Sequence, residues 1–319
     1  MQKQVLKFTL TAAFLSLFAA NIHAGEIRDL DVSPAASSGP GEALEVDPDT
    51  GRGGEAVREL DPTAFRVCAD MDNLPYSNNK QEGFENKIAE LIAKDLGKRL
   101  EYQFWVDRFG FVRNTINARR CDVMIGTVSG NDMLLTTKPY YRSGYVFVYR
   151  KDSGLKITDW DSPDLKKVKI GTVDKTPPAR PLSDKELLGN TKPYRIYRDL
   201  TVPPGELVDD VVKGVIDVAI VWGPIAGYYA KQAKVPLEVV LAPEYEQENP
   251  GGKINWNISM AVRKKDKERL AVLQEVIDRR HADIMKILDE YGIPHMPVVD
   301  EKKKGPSEKR GGDAIPKFD

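Results

Sequence analysis

The sequence predicts an α/β protein of two similarly built lobes, each a doubly wound, mostly parallel sheet with helices on both faces. Short apolar runs rich in β-branched residues alternate with segments whose apolar residues recur at helical spacing, the pattern of a parallel sheet covered on both sides. The block Asp122-Val-Met-Ile-Gly126 returns in type and place as Asp217-Val-Ala-Ile-Val221. It is too short for a sequence repeat, yet it marks two halves built alike. The 319 residues give room for two modest domains and a large combined core.

In chain order, Phe65 to Ala69 reads as a strand, and Asn86 to Leu96 as a helix with Ile88, Leu91, Ile92 and Leu96 on one face. Gly97 supplies its stop. Leu100 to Trp105 is a second strand, Gly110 to Arg119 a helix, Asp122 to Gly126 a buried strand, and Tyr145 to Arg150 a strand that leaves the first lobe. The scheme then repeats in miniature. Lys167 to Val173 is a strand, a helix follows Pro177-Pro178, Tyr194 to Tyr197 is a strand, Gly205 to Gly214 a helix and Asp217 to Val221 a strand. Pro243 to Lys253 is a polar break, Trp256 to Arg263 a returning strand, and Asp266 to Tyr291 an amphipathic helix whose Leu270, Leu273, Ile277, Ile284, Ile287 and Leu288 close back onto the first lobe. The expected organisation is residues 64–150 for the first lobe, 151–250 for the second, 251–299 for the return, and 300–319 for a loose polar tail.

The amino-terminal stretch carries two lysines, Lys3 and Lys7, then an apolar run from Phe8 to Ala20 and a small residue at Ala24. This is the pattern of a secretory signal peptide cleaved near Ala24, which places the mature chain in the periplasm. A membrane span needs about 20 apolar residues, longer than this run or any later one. Residues 25–63 form an acidic leader, poor in aromatics, that cannot bury enough surface to offset chain entropy. It reads as a solvated linker, with docking to a basic partner as the alternative.

The two cysteines, Cys68 and Cys121, fall in the first and third strands of the first lobe. In an oxidising compartment an even pair favours a bridge, and in a doubly wound order those strands are neighbours. Closing a loop of about 50 residues contributes about 4 kcal/mol in the chain-entropy model. The alternative is two buried thiols.

Composition and motifs exclude several classes. The net charge of −1 and the lack of a basic face argue against nucleic-acid binding. No catalytic or metal set emerges and no cofactor is implied: the mature chain has only His281 and His295, without HExxH, Cys-x-x-Cys-His or a nucleophile elbow, and Gly126-Thr-Val-Ser-Gly130 lacks the Gly-Lys-Ser/Thr ending of a phosphate loop. Asp209-Asp210 and the Asp159/Asp161 pair are explained as helix-start or turn residues.

Gly83-Phe-Glu-Asn with Ile88-Ala-Glu-Leu-Ile-Ala-Lys-Asp-Leu-Gly97, Asp122-Val-Met-Ile-Gly126, Pro139-Tyr140, Asp217-Val-Ala-Ile-Val221 and Leu288-Asp-Glu-Tyr-Gly-Ile-Pro294 together resemble the periplasmic solute-binding proteins of amino-acid ABC importers. The resemblance covers about Phe65 to Val298. It implies the two-lobe periplasmic-binding-protein fold, with two crossovers and a ligand cleft at the sheet ends. In that family an arginine after the first lobe's Asp-Val-x-x-Gly strand grips the ligand α-carboxylate, and an acid after the second lobe's matching strand meets the α-ammonium. Here Thr127 to Lys138 holds no arginine, and Trp222-Gly-Pro224 stands where the acid belongs. A buried carboxylate without its partner costs several kcal/mol, so ordinary amino-acid binding is disfavoured. Lys138 or Arg142 from a shifted position is the remaining way to meet a carboxylate.

A narrower resemblance accounts for the departures. Phe65-Arg-Val-Cys-Ala-Asp70, Asn73-Leu-Pro-Tyr-Ser77, Gly110-Phe-Val-Arg-Asn-Thr115, Arg120-Cys-Asp-Val-Met-Ile-Gly126 and Leu135-Thr-Thr-Lys-Pro-Tyr-Tyr-Arg-Ser-Gly-Tyr145 look like the J proteins of bacterial methanol oxidation, the MxaJ and XoxJ branches. That resemblance implies an accessory protein, not an enzyme, acting by contact with a quinoprotein (PQQ) alcohol dehydrogenase or its cytochrome c acceptor. The XoxJ branch implies a lanthanide-dependent enzyme as partner. The alternative function is an ABC-importer receptor, working with a permease, for a small organic ligand other than a standard amino acid.

The expected cleft residues are Asp70, Asn73, Tyr76, Ser77, Glu85, Ser129, Tyr140, Arg142 and Trp222. Each has a plainer explanation. Pro75 alone shapes the Asp70–Ser77 loop, Glu85 fits a helix cap, Tyr140 after Pro139 fits a core, and Trp222 either stacks on a planar group or plugs the cleft.

Overall fold

The computed structural model describes residues 61–106, 110–195, 201–245 and 252–300. The expected signal peptide, the acidic leader before Asp61, Ile196 and Tyr197 of one expected strand, and the charged tail from Glu301 lie outside the described residues. The first lobe grows around β1 (Ala64–Asp70), in which every residue is buried. Burial of all seven residues is that of a strand covered on both faces. The chain then forms a small hairpin, β2 (Asp72–Asn73) and β3 (Ser77–Asn78), and enters α1 (Phe84–Asp95). The Asn86 side chain accepts the Gly83 N–H at 3.1 Å, satisfying a donor that the helix start leaves orphaned. Phe84, Ile88, Ala89, Ile92 and Ala93 form its buried face, and Gly97 turns the chain out at φ +62°.

β1 pairs in parallel with β4 (Arg99–Trp105) on one side and with β5 (Val123–Val128) on the other. Between them the expected ten-residue helix shrinks to one turn, α2 (Phe111–Asn114). The β-branched Thr115 turns its hydroxyl back onto Phe111 O at 2.7 Å and leaves helical geometry, ending the turn. After β6 (Leu135–Thr136), β7 (Tyr141–Arg150) crosses into the second lobe.

The second lobe repeats the plan with β8 (Ile170–Val173), α3 (Ala179–Asp184), β9 (Thr191–Tyr194), α4 (Glu206–Lys213) and β10 (Val218–Trp222). Two expected strands are corrected. The Lys167 start becomes a 3-10 turn over Pro163–Lys167, with the strand opening at Ile170. The Tyr194–Tyr197 strand is replaced by Thr191–Tyr194, with Pro193 inside it. β9 is the last strand of the sheet, and an edge strand tolerates the missing proline N–H. Two further elements are α5 (Gly223–Gln232) and β11 (Leu237–Leu241), followed by β12 (Asn255–Val262) and α6 (Lys267–Glu290).

The strand order is β4-β1-β5-β12-β7-β10-β8-β9, with β11 added to β7 and β6 to β12. Both lobes therefore place the first strand between the second and third, and each is extended by an antiparallel crossover, β12 in the first and β7 in the second. The likeness reaches single bonds. Asp122 N donates to Arg66 O and Asp217 N donates to Lys169 O, each at 2.9 Å, ahead of equivalent parallel pairs.

Cys68 and Cys121 are bridged, with Cα atoms 5.3 Å apart. Beside the bridge, Asp122 accepts Arg66 on both oxygens at 2.9 and 3.1 Å, Arg263 at 2.6 Å and Arg269 at 2.9 Å. Its block therefore owes its aspartate to the fold. α6 returns to the first lobe, burying Leu273, Val276, Ile277, Ile284 and Leu288, and its Arg279 and Arg280 both grip Asp95 at the end of α1. Among the described residues no helix is long and apolar enough to cross a membrane.

Beyond α6 the chain runs along the crossover strands. Ser143 Oγ donates to Pro294 O at 2.6 Å, Met296 N to Arg142 O at 2.9 Å and Asn257 Nδ2 to Val299 O at 2.6 Å. α5 lies against this segment so closely that a methyl added at Gly227 would sit 1.9 Å from Gly292 O. Gly227→Ala must push two backbones apart, so a loss of about 1–3 kcal/mol is expected in urea unfolding. An unchanged midpoint would mean that the segment yields without resistance.

Candidate functional site

The carboxyl end of β5 runs beside β12 and that of β10 beside β7, and open α/β sheets place their ligands outside the carboxyl ends of their strands. The structure distributes the expected cleft residues unevenly. Trp222 ends β10 opposite Tyr145 of β7. Its ring meets Tyr145 edge-on at 5.6 Å and Trp256 of β12 at 5.7 Å, and Tyr145 and Trp256 meet at 6.3 Å. Half-buried, Trp222 packs against the core of the first lobe and both cores of the second. From the other side Tyr76 lies against Phe84 at 5.4 Å and reaches a second-lobe core as well.

A second aromatic contact flanks the first. Tyr228 of α5 stacks on Tyr291 at 6.0 Å, Tyr291 meets Phe84 at 6.3 Å, and its hydroxyl donates to Glu82 O at 2.7 Å. Aromatic pairs at such distances contribute about 0.5–1.5 kcal/mol each beyond their area. The lobes therefore meet through rings.

Polar residues of the expected set are largely engaged within the fold. Asp70 accepts the Asp72 N–H at 2.8 Å on its carboxylate and the Ser77 hydroxyl at 2.9 Å on its carbonyl. Ser77 is 1% exposed, so it braces the loop instead of facing the cleft. Asn73 pairs with Ser77 in the hairpin and accepts the Tyr76 N–H. Tyr140 is likewise core: it is 1% exposed and its hydroxyl donates to Ile125 O at 3.0 Å. Burial holds the Tyr140 and Tyr141 hydroxyls well above their usual pKa, with the Glu85 carboxylate adding to the shift. Glu85 itself is half-buried in the first turn of α1, with its carboxylate against Gly126, where an added methyl would sit 2.0 Å from Oε1. Ser129 is half-buried at the end of β5 and donates its N–H to Asn257 O at 2.9 Å.

The two cations that could replace the missing arginine differ in burial and in partners. Arg142 lies 3.6 Å from Glu244 with only 11% of its side chain exposed. Glu244 also accepts Asn255 and the Ile254 N–H. Lys138 is exposed, and its backbone N–H donates to Gln274 of α6. At the opposite lobe, where an acid would hold an ammonium, Trp222 is followed by Gly223, whose position leaves no room for a methyl beside Gly144 O, 2.6 Å away. The arrangement offers an apolar, aromatic wall. Sequence reading singled out Trp222 but missed Trp256, Tyr228 and Tyr291; an aromatic spacing gives no signal when its members come from different segments. Among the described residues no cluster of histidine, cysteine and carboxylate side chains is arranged to hold a metal.

Residues 65–293 match the bacterial extracellular solute-binding proteins, family 3. The protein MoxJ of Methylorubrum extorquens AM1 is 30% identical over 78% of this chain and 87% of its own length. The chain is also similar to solved structures, among them the following two. MxaJ from Methlophaga aminisulfidivorans MPT has a TM-score of 0.66 at 32% identity, covering 73% of this chain and all of that one. The periplasmic binding protein XoxJ from Methylobacterium extorquens AM1 has a TM-score of 0.62 at 38% identity, again over 73% of this chain and all of that one.

Proposed function

Because the chain belongs to the bacterial extracellular solute-binding proteins, family 3, and is similar to MoxJ, MxaJ and XoxJ, we propose that it is a periplasmic accessory protein that binds without catalysing. Its partner in this reading is a PQQ-dependent methanol or alcohol dehydrogenase, or the cytochrome c that accepts electrons from it. The similarity to MoxJ, MxaJ and XoxJ supports the methanol-oxidation setting. The observation that carries the departure from solute import is Trp222 packed with Tyr145 and Trp256 where an ammonium-binding acid would stand. An aromatic wall offers no compensation for a buried zwitterion, whereas aromatics are favoured anchors of protein contacts.

The test is a thermal-shift screen of small organic solutes beside a pull-down with the purified dehydrogenase and cytochrome. A receptor saturated at 100 times its dissociation constant gains about 2.7 kcal/mol. The expected result is no such gain together with capture of one of the two proteins. A clear shift with a solute and no capture would overturn the accessory reading.

A further inference from the structure

A depression of about 670 Å³ opens at the amino ends of β8, β9 and β10. It is therefore at the end of the second-lobe sheet opposite the aromatic cleft, which gathers at the strands' carboxyl ends. Its wall holds Lys166, Lys167, Lys169 and Lys192 against one acid, Asp217, on a chain whose net charge is −1.

The backbone around these lysines is fixed. Asn190 Nδ2 donates to Lys166 O at 3.1 Å and Asp217 accepts the Lys169 N–H at 2.8 Å. Lys192 is committed to Asp210 at 2.9 Å and lies 4.4 Å from the centre of the Tyr194 ring. Lys167 has Asp164 within 3.6 Å. Lys166 and Lys169 are exposed and have no ion-pair partner among the described residues. Apolar surface accompanies this charge: Val215 in the wall is 44% exposed, and Leu188, next to the wall residue Gly189, is 52% exposed.

The combination selects the kind of partner. Ammonium groups are point charges on flexible stems, suited to several spread carboxylates more than to the forked grip of one phosphate. Exposed valine and leucine gain from an apolar cover that a free anion does not bring. Strand addition is blocked, because edge strand β9 carries Lys192 and Pro193. The contact must then be made by side chains across an open face. We propose that this end of the second lobe is a docking face for an acidic protein surface whose carboxylates surround an exposed apolar residue.

The proposal rests on the accessory reading only in the choice of partner to test. The full mature chain, its Lys166→Glu/Lys169→Glu variant and a Lys234→Glu/Lys264→Glu control of equal charge change are compared for binding to the purified dehydrogenase and to the cytochrome across a salt series. Equal melting temperatures establish that all three are folded. The expected result is about tenfold or more weaker binding for the first variant alone, with a shallower salt dependence. Carbodiimide coupling of the wild-type complex is expected to join Lys166 or Lys169 to a partner carboxylate. Equal binding by both variants, or coupling only at other lysines, would overturn the docking face while leaving the accessory reading intact. Absence of any wild-type complex removes the accessory reading and this proposal with it. Retention on phosphatidylglycerol vesicles, lost in the first variant and without a protein complex, would assign the face to a membrane surface and overturn protein docking.

Discussion

Asp122→Ala is expected to lower the stability of the folded protein by about 3–5 kcal/mol, the cost of stranding buried cations without their anion. The carboxylate is 5% exposed and is met by Arg66, itself 9% exposed, by Arg263 at 14% and by Arg269 at 32%. A pair such as Lys286–Glu290, 3.8 Å apart with 75% and 59% of the side chains exposed, contributes only about 0.3–0.5 kcal/mol. Burial by itself would raise the Asp122 pKa, but the Arg263 and Arg66 hydrogen bonds outweigh it and hold the carboxyl below its ordinary value. The sign follows from linkage. A depressed carboxyl contributes fully above its unfolded-state pKa of about 3.9 and loses that contribution as pH falls through the lower folded value. Urea midpoints across an acid series should therefore fall for the wild type and lose that part of the slope in Asp122→Ala. A change below about 1 kcal/mol at neutral pH would show that the guanidinium groups escape to water.

Removing the Cys68–Cys121 bridge is expected to cost about 4 kcal/mol in the chain-entropy model, since it frees a loop spanning 53 residues of sequence. Cys68→Ala/Cys121→Ala should show a lowered urea midpoint that reductant leaves unchanged, while reductant brings the wild type down by a similar amount. A wild-type midpoint indifferent to full reduction would remove the bridge from the account of stability. Cys121 adjoins Asp122, so the two losses should not simply add.

How much of this was readable in the sequence depended on whether the signal was local. α6 announced itself through Leu273, Ile277, Ile284 and Leu288 at helical spacing, and all four are buried. The cysteine pair was readable because strand order and parity pointed the same way. α5 was not, since Gly223-Pro-Ile-Ala-Gly227 looks like a loop by propensity and is held as a helix by its packing. The same limit applied to the site. Trp222 was found by what it replaces, but Tyr145 and Trp256 join it only because two crossover strands bring distant segments together. Its place past the first strand suggested Ser77 for the cleft, and the aromatic cluster suggested Tyr140 with a core position as its plainer explanation; both hydroxyls are spent on backbone carbonyls inside the fold.

The crossover strands also set the order in which the molecule can be completed during synthesis. The first lobe's sheet needs β12 beside β5, and β12 emerges only after the entire second lobe. The second lobe has β7, β8, β9, β10 and β11 in hand before that. Thus the half made later is the first whose sheet can be finished, and until β12 arrives the nascent β5 carries a bare edge, open to wrong pairing. A growing chain that stalls before Asn255 leaves a closed second lobe attached to an unfinished first.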